Sequence, residues 1–301
     1  MAALDYILSR SLPFVPRPIV RRFSRPYIAG DALPDAVRVV RALNEGGVMA
    51  TLDVLGESVT NRALAEGAVR DYREALRAIR EEGLDSNISV KLTQLGLKLD
   101  FDDCLENVRA LARAARETGT FVRIDMEDSS CTSATLDLYR RLRAEGLVNA
   151  GVVLQACLRR SLADVRALPE GTNARLCKGI YVEPRAIAYK ERGIVTRNFV
   201  RLLEEMLDRG FYVGIATHDE ALVWEAMNLI DRRRLPRQAY EFQMLLGVDR
   251  DLRDLIRKEG QRVRVYIPFG PHWYAYSLRR LKENPRIAGY VVRSLLGRRR
   301  S

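Results

Sequence analysis

Eight short runs of apolar, β-branched residues recur along the chain, separated by stretches with helical periodicity. The runs are GVMATLDVL (47–55), NISVKL (87–92), FVRIDM (121–126), GVVLQACL (151–158), ARLCKGIYV (174–182), YVGIAT (212–217), YEFQML (240–245) and VRVYIPF (263–269). Between them, apolar residues repeat every three or four positions in segments such as 64–83, 104–119, 135–146, 198–210 and 220–234. Gly83, Gly119, Gly146 and Gly210 stand where such helices need a left-handed C-terminal residue. Eight strands alternating with helices predict a parallel sheet, and that number at this length predicts a closed, distorted (β/α)8 barrel of the α/β class. The rival is an open doubly wound sheet, but neither a GxGxxG turn nor a Walker lysine loop marks one.

At 301 residues the chain exceeds a typical domain, yet barrels of about 250 residues are routinely single units. The reading divides it into an N-terminal helical arm (1–32), a barrel catalytic domain (33–285) and a basic C-terminal helix or tail (286–301). No run of about 18 apolar residues predicts a membrane-spanning helix. The start lacks the features of a signal peptide. Cys104, Cys131, Cys157 and Cys177 form no CxxC pair, which suits free thiols in a reducing cytoplasm. The net charge of +11 raises the question of nucleic acid. Lys and Arg are nevertheless interspersed with acids, no aromatic platforms accompany them, and no nucleic-acid partner is expected. Only the two ends, RPIVRRFSRP (17–26) and the stretch after Glu283, are strongly basic.

Barrel active sites form at the C-terminal ends of the strands. Polar residues predicted there are Asp53 and Glu57, Lys91, Asp125 and Glu127, Gln155, Arg175 and Lys178, Thr217 and His218, Gln243, and Tyr266. A mouth lined with so many charges costs folding free energy unless they pair or bind something. Only His218 and His272 are present, without partners at ligand spacing, so no zinc site is expected. Glu127 and Asp128 could hold magnesium, or equally end a strand and cap a helix. Lys91 or Lys178 could form a Schiff base, as in barrel aldolases. After the last strand, Tyr276, Arg279, Arg280 and Glu283 fall at i, i+3, i+4 and i+7, one face of a helix that ends at Pro285. These residues together predict a barrel enzyme that binds an anion.

The segments 87–97, 121–129, 151–160, 174–184, 216–219, 240–248 and 263–285 resemble, in order, the proline dehydrogenase family. The Tyr-x-x-Arg-Arg-x-x-Glu helix is the most specific of these likenesses. The resemblance implies oxidation of L-proline to Δ1-pyrroline-5-carboxylate, with non-covalent FAD taking hydride from C5 and a membrane quinone receiving the electrons. It implies the compact monofunctional bacterial form, with pyrroline-5-carboxylate dehydrogenase acting downstream. Arg279 and Arg280 would bind the proline carboxylate, whose geometry suits guanidinium donors. Glu283 would hold the arginines. Tyr276, Tyr266 and Leu245 would wall the ring, and Lys91 and Asp125 would stand beside substrate and flavin. Arg175 would lie near flavin N5, and Gln155, Cys177, Lys178, Gly179, Thr217, His218 and Gln243 would contact the cofactor. Glu57 would pair with Arg279 as a gate. Solvent and Lys91 are both candidates to accept the amine proton.

Ile180 and Val182 replace aromatic residues common in the family, and Cys157 replaces a tyrosine. Asp219 sets a carboxylate that would repel the FAD pyrophosphate unless it points away. The alternative function is a flavin-free lyase or aldolase acting through Lys91 or Lys178. The basic C-terminal stretch reads either as a helix packed on the barrel with a solvated tail or, together with 17–26, as a peripheral contact with an anionic membrane from the cytoplasmic side.

Overall fold

The computed structural model describes residues 17–274 and 276–278. Eight parallel strands close into a barrel in sequence order. They are β1 Met49–Val54, β2 Ser86–Val90, β3 Val122–Ile124, β4 Ala150–Gln155, β5 Asn173–Cys177, β6 Tyr212–Ala216, β7 Tyr240–Leu245 and β8 Val263–Phe269. Closure is made by β8 against β1, in register from Met49↔Arg264 to Val54↔Phe269, which settles the barrel against the open sheet. Helices α1 Arg17–Ser24 and α2 Leu33–Glu45 precede the first strand. Then come α3 Arg62–Glu81, α4 Phe101–Glu117, α5 Ser129–Ala144, α6 Ser161–Ala167, α7 Arg192–Asp208, α8 Glu220–Arg233 and α9 Arg250–Lys258.

The long helices follow directly from periodicity. In α3, Ala65, Ala68, Val69, Tyr72, Ala75, Leu76 and Ile79 form one buried stripe. The N-termini are capped by polar side chains: Asn61 accepts from Leu64 N, Asp100 from Asp103 N, and Asp128 from Ser130 N. At the other ends Gly83, Gly119, Gly146 and Gly210 take φ of +59°, +69°, +76° and +66°, the conformation that closes a helix at least strain. Helices α2, α6 and α9 were not separately predicted. In α9 only Leu252 and Ile256 are buried, too few repeats for a 3.6-residue period to stand out.

Strand alternation divides the sheet into two unlike faces. One set, including Leu52, Val54, Ile88, Val90, Ile124, Val152, Leu176, Ile215, Phe242 and Ile267, joins the hydrophobic core beneath the helices. The alternate set faces the lumen and is largely polar, where barrel interiors are usually filled with branched aliphatics. Buried Arg123 donates from Nη1 to Val152 O at 2.8 Å and Asn173 O at 3.1 Å, and burial pushes its guanidinium down to about 9. Glu241 accepts from Arg264 Nε at 2.8 Å, Tyr212 OH at 2.6 Å and Gln243 Nε2 at 2.6 Å.

Two glycines make this interior fit. A Cβ on Gly214 would lie 2.4 Å from Gln243 Nε2, and one on Gly151 would lie 2.3 Å from Asn173 O and 2.8 Å from Arg123 Nη1. The Gly151 obstruction is backbone, so a methyl there must displace a strand. Gly151→Ala is therefore expected to cost about 1–3 kcal/mol, read as a lowered denaturant midpoint. An unchanged midpoint would mean that the lumen has room to spare.

Candidate active site

At the C-terminal ends of the strands lies a cavity of about 510 Å³, within the range of small-ligand sites. Its floor is built around Asp125, the residue after β3. Oδ1 accepts from Ser89 Oγ at 2.7 Å and Arg175 Nη1 at 2.8 Å. Oδ2 accepts from Tyr266 OH at 2.9 Å, and Lys91 Nζ stands 3.9 Å away. Burial raises a carboxyl, but here Arg175, Lys91 and the hydroxyl donors outweigh it and hold Asp125 below its ordinary value. The Tyr266 phenol is raised well above its own value, by burial and then by Asp125 and Asp53. It stays protonated and donates. The Arg175 guanidinium also lies 5.3 Å from the Tyr266 ring centroid, a cation–π contact.

Lys91 is buried and donates to Asp53 Oδ1 at 2.8 Å. Burial opposes its charge, yet Asp53 and Asp125 more than compensate and raise it above the ordinary lysine value. It is a fixed ammonium. Such a pair is an arrangement in which loss of either partner strands a buried charge.

The opposite wall is set by β4, β5 and β6. Gly179 has φ +94°, and a Cβ there would come 2.3 Å from Cys157 Sγ and 3.0 Å from Gln155 Oε1. Glycine is required on both counts. Gln155 Nε2 donates to Glu127 O at 2.9 Å. Lys178 Nζ meets Asp219 Oδ2 at 2.6 Å, while Asp219 Oδ1 accepts from Ala221 N at the start of α8. The repulsion expected from Asp219 is thus offset by a lysine, and the Lys178 contact lowers its carboxyl below the ordinary value. His218 Nε2 accepts from Leu245 N at 2.9 Å. This joins β6 to β7 and leaves the ring proton on Nδ1. Burial pushes the Cys177 thiol up to about 12, so it is no nucleophile.

Thirteen predicted site residues therefore line one cavity: Lys91, Asp125, Gln155, Arg175, Cys177, Lys178, Gly179, Thr217, His218, Gln243, Leu245, Tyr266 and Tyr276. Glu57 is not among its lining residues. Arg279, Arg280 and Glu283 lie outside the described residues, as does the basic tail. Glu127 is engaged by Thr93, whose backbone N donates to it at 3.0 Å, and Asp128 caps α5. Among the described residues no group of three His, Cys, Asp or Glu could hold a metal, and no helix is long and apolar enough to cross a membrane. Asp53 was read as a polar strand end and proves to be the partner of Lys91. Ser89 and Glu241 were missed. All three sit at polar positions of strands whose alternate residues are apolar, a signal that strand parity carries.

A parallel barrel whose strand ends converge on a charged, partly apolar cavity has the architecture of a (β/α)8 enzyme. The family model described as proline dehydrogenase matches residues 36–293, and the chain belongs to the proline dehydrogenase family. Proline dehydrogenase 1 of Bacillus subtilis (strain 168) is 36% identical over 91% of this chain and 90% of its own length. Proline dehydrogenase of Deinococcus radiodurans is 37% identical, over 90% and 89%. Among solved structures, proline utilization A from Bdellovibrio bacteriovorus, inactivated by N-propargylglycine, superimposes with a TM-score of 0.81 at 25% identity. That alignment covers 87% of this chain and 32% of the longer one.

Two carboxylates of the barrel interior, Glu241 and Asp125, give the fold an acid limit. Burial raises Glu241, but Arg264 and three hydrogen bonds prevail and bring it down to about 2, against about 4.3 for an unfolded glutamate. Its contribution, on the order of 3 kcal/mol, is complete above pH about 4.3 and is lost as pH falls toward 2. Asp125 acts in the same direction below the unfolded aspartate value of about 3.9. Urea unfolding across this window should show stability falling with pH. Glu241→Gln should flatten that slope.

Proposed function

We propose that this protein oxidises L-proline to Δ1-pyrroline-5-carboxylate with non-covalent FAD as the immediate acceptor and a membrane quinone as the final one. The observation that carries this reading is the Asp125–Arg175–Tyr266–Lys91 cluster at the cavity floor of a barrel of this family. The cavity also fits a flavin by its own chemistry. Gly179 keeps the wall free of a side chain, Arg175 and Lys178 supply cations, and Met126, Val153, Ile180 and Leu245 add apolar lining. Arg175, Gln155, Cys177, Lys178, Gly179, Thr217, His218 and Gln243 would hold the cofactor. Bound FAD would supply a two-electron acceptor at N5 for the hydride leaving proline C5.

The protein's part is orientation and charge. In this reading Arg279 and Arg280 bind the substrate carboxylate, with Glu283 aligning them and Glu57 closing on Arg279. Tyr266, Leu245 and Tyr276 enclose the ring, so that its C5 is aimed at the acceptor. The C5–H bond breaks, the nitrogen loses a proton, and the nitrogen electron pair forms the C5=N double bond. Lys91 is held protonated by Asp53 and is poorly suited to take that proton. Solvent is the acceptor this favours. The same fixed ammonium counts against a lyase or aldolase working through Lys91, which needs a neutral amine. Lys178 is paired with Asp219 at 2.6 Å.

Two measurements test the reading. Purified protein is expected to carry a flavin absorption spectrum that bleaches on anaerobic addition of proline and recovers with a soluble quinone. Colourless protein that cannot take up FAD would sink the proposal. Arg280→Met is expected to raise KM for proline about 10–100-fold, the loss of a charge-assisted contact of about 1.5–3 kcal/mol, with flavin content unchanged. Unaltered proline kinetics would remove Arg280 from the site.

A further inference from the structure

We propose that Glu241 is a positioning residue that sets the orientation of the Gln243 amide and, through it, the plane of the Arg175 guanidinium at the cavity floor. Arg175 and Gln243 line the cavity, whereas Glu241 does not. It lies two residues earlier on β7, one layer deeper in the lumen, with only 2% of its surface exposed. Any influence on the site must pass through another side chain.

The route is short. Gln243 Nε2 donates to Glu241 Oε1 at 2.6 Å, and Gln243 Oε1 accepts from Arg175 Nε at 2.5 Å. A carboxylate can only accept, so it admits the NH2 end of the amide and turns the carbonyl toward Arg175. A neutral group at position 241 could donate as well as accept. The amide could then reverse and set its NH2 against the guanidinium, donor against donor. Arg264 Nε donates to the same Oε1 at 2.8 Å and Tyr212 OH to Oε2 at 2.6 Å, which holds the carboxylate in place and keeps it ionised. Gly214 leaves the space in which the amide lies. Arg175 is thus fixed at two atoms, by Asp125 at Nη1 and by Gln243 at Nε. Two acceptors on different strands determine the guanidinium plane, where one would leave it free to swing.

The inference rests on the flavin reading for what Arg175 faces, and the test separates the two. Glu241→Gln is expected to lower kcat for proline about tenfold, to change KM by less than about threefold, and to shift the absorption bands of the oxidised bound flavin without any substrate. Gln243→Met should do the same. The double variant should be no worse than Gln243→Met alone, because the first change acts through the second residue. Full additivity, or a Glu241→Gln protein with unchanged kcat and flavin spectrum, would overturn the proposal. Glu241→Gln also leaves Arg264 buried beside a neutral partner. If that variant does not fold, the combination with Arg264→Met removes both charges and is expected to show the same kcat loss and spectral shift; wild-type values there would equally overturn it. A wild-type flavoprotein that proline does not bleach would defeat the proposed function, while the spectral shifts would still decide the role of Glu241. A chain that binds no flavin defeats both.

Discussion

Asp125 is the point on which the mouth of this barrel is assembled. Its two oxygens collect donors from β2, β5 and β8, with the Lys91 ammonium close by. The three hydrogen-bond donors, Ser89, Arg175 and Tyr266, are far apart in sequence. One half-buried carboxylate therefore sets the relative heights of residues carried on distant strands. The interaction is strong because the surroundings are dry, and for the same reason it tolerates no missing partner. Lys91 and Arg175 neutralise Asp53 and Asp125, and the Tyr266 phenol gives Asp125 Oδ2 its hydrogen bond.

That cluster continues downward. The lumen beneath it holds two hydrogen-bonded groups, Gln243–Glu241–Arg264, which reaches Arg175, and Arg123–Asn173. The hydrophobic driving force comes instead from the outer face of the sheet, where strand residues such as Leu52, Ile88 and Phe242 meet the helices. The two faces thus have separate tasks. The outer one stabilises the fold, and the inner one supports a floor of fixed charges. Gly151 and Gly214 are the positions at which this division requires the absence of a side chain.

The wall facing the cluster is shaped by backbone as much as by side chains. Gly179 brings the chain after β5 against Cys157 and Gln155, and the His218–Leu245 contact ties β6 to β7 just above. Asp219 serves twice, as the cap of α8 and as the counterion of Lys178. Membership of the proline dehydrogenase family agrees with this mouth, in which a fixed ammonium and a doubly held guanidinium flank an apolar pocket.

The sequence by itself determined the eight strands, the long helices and their closing glycines, because these depend on local periodicity and on backbone conformations that only certain residues adopt. It also determined which residues reach the strand ends, since parity along a short strand decides which side chains share a face. Nine of those strand-end residues meet around one cavity, and the family resemblance added Cys177, Gly179, Leu245 and Tyr276 to its lining. The short helices α6 and α9 escaped notice because they span too few turns for a period to emerge. What only the tertiary structure decided is pairing. Asp53 and Lys91 are 38 residues apart, and Tyr266 and Asp125 are 141 apart. Residue types at such separations do not reveal which partner each charge will find. That choice is made when β8 closes against β1 and the lumen excludes water, for only then must every buried charge be matched.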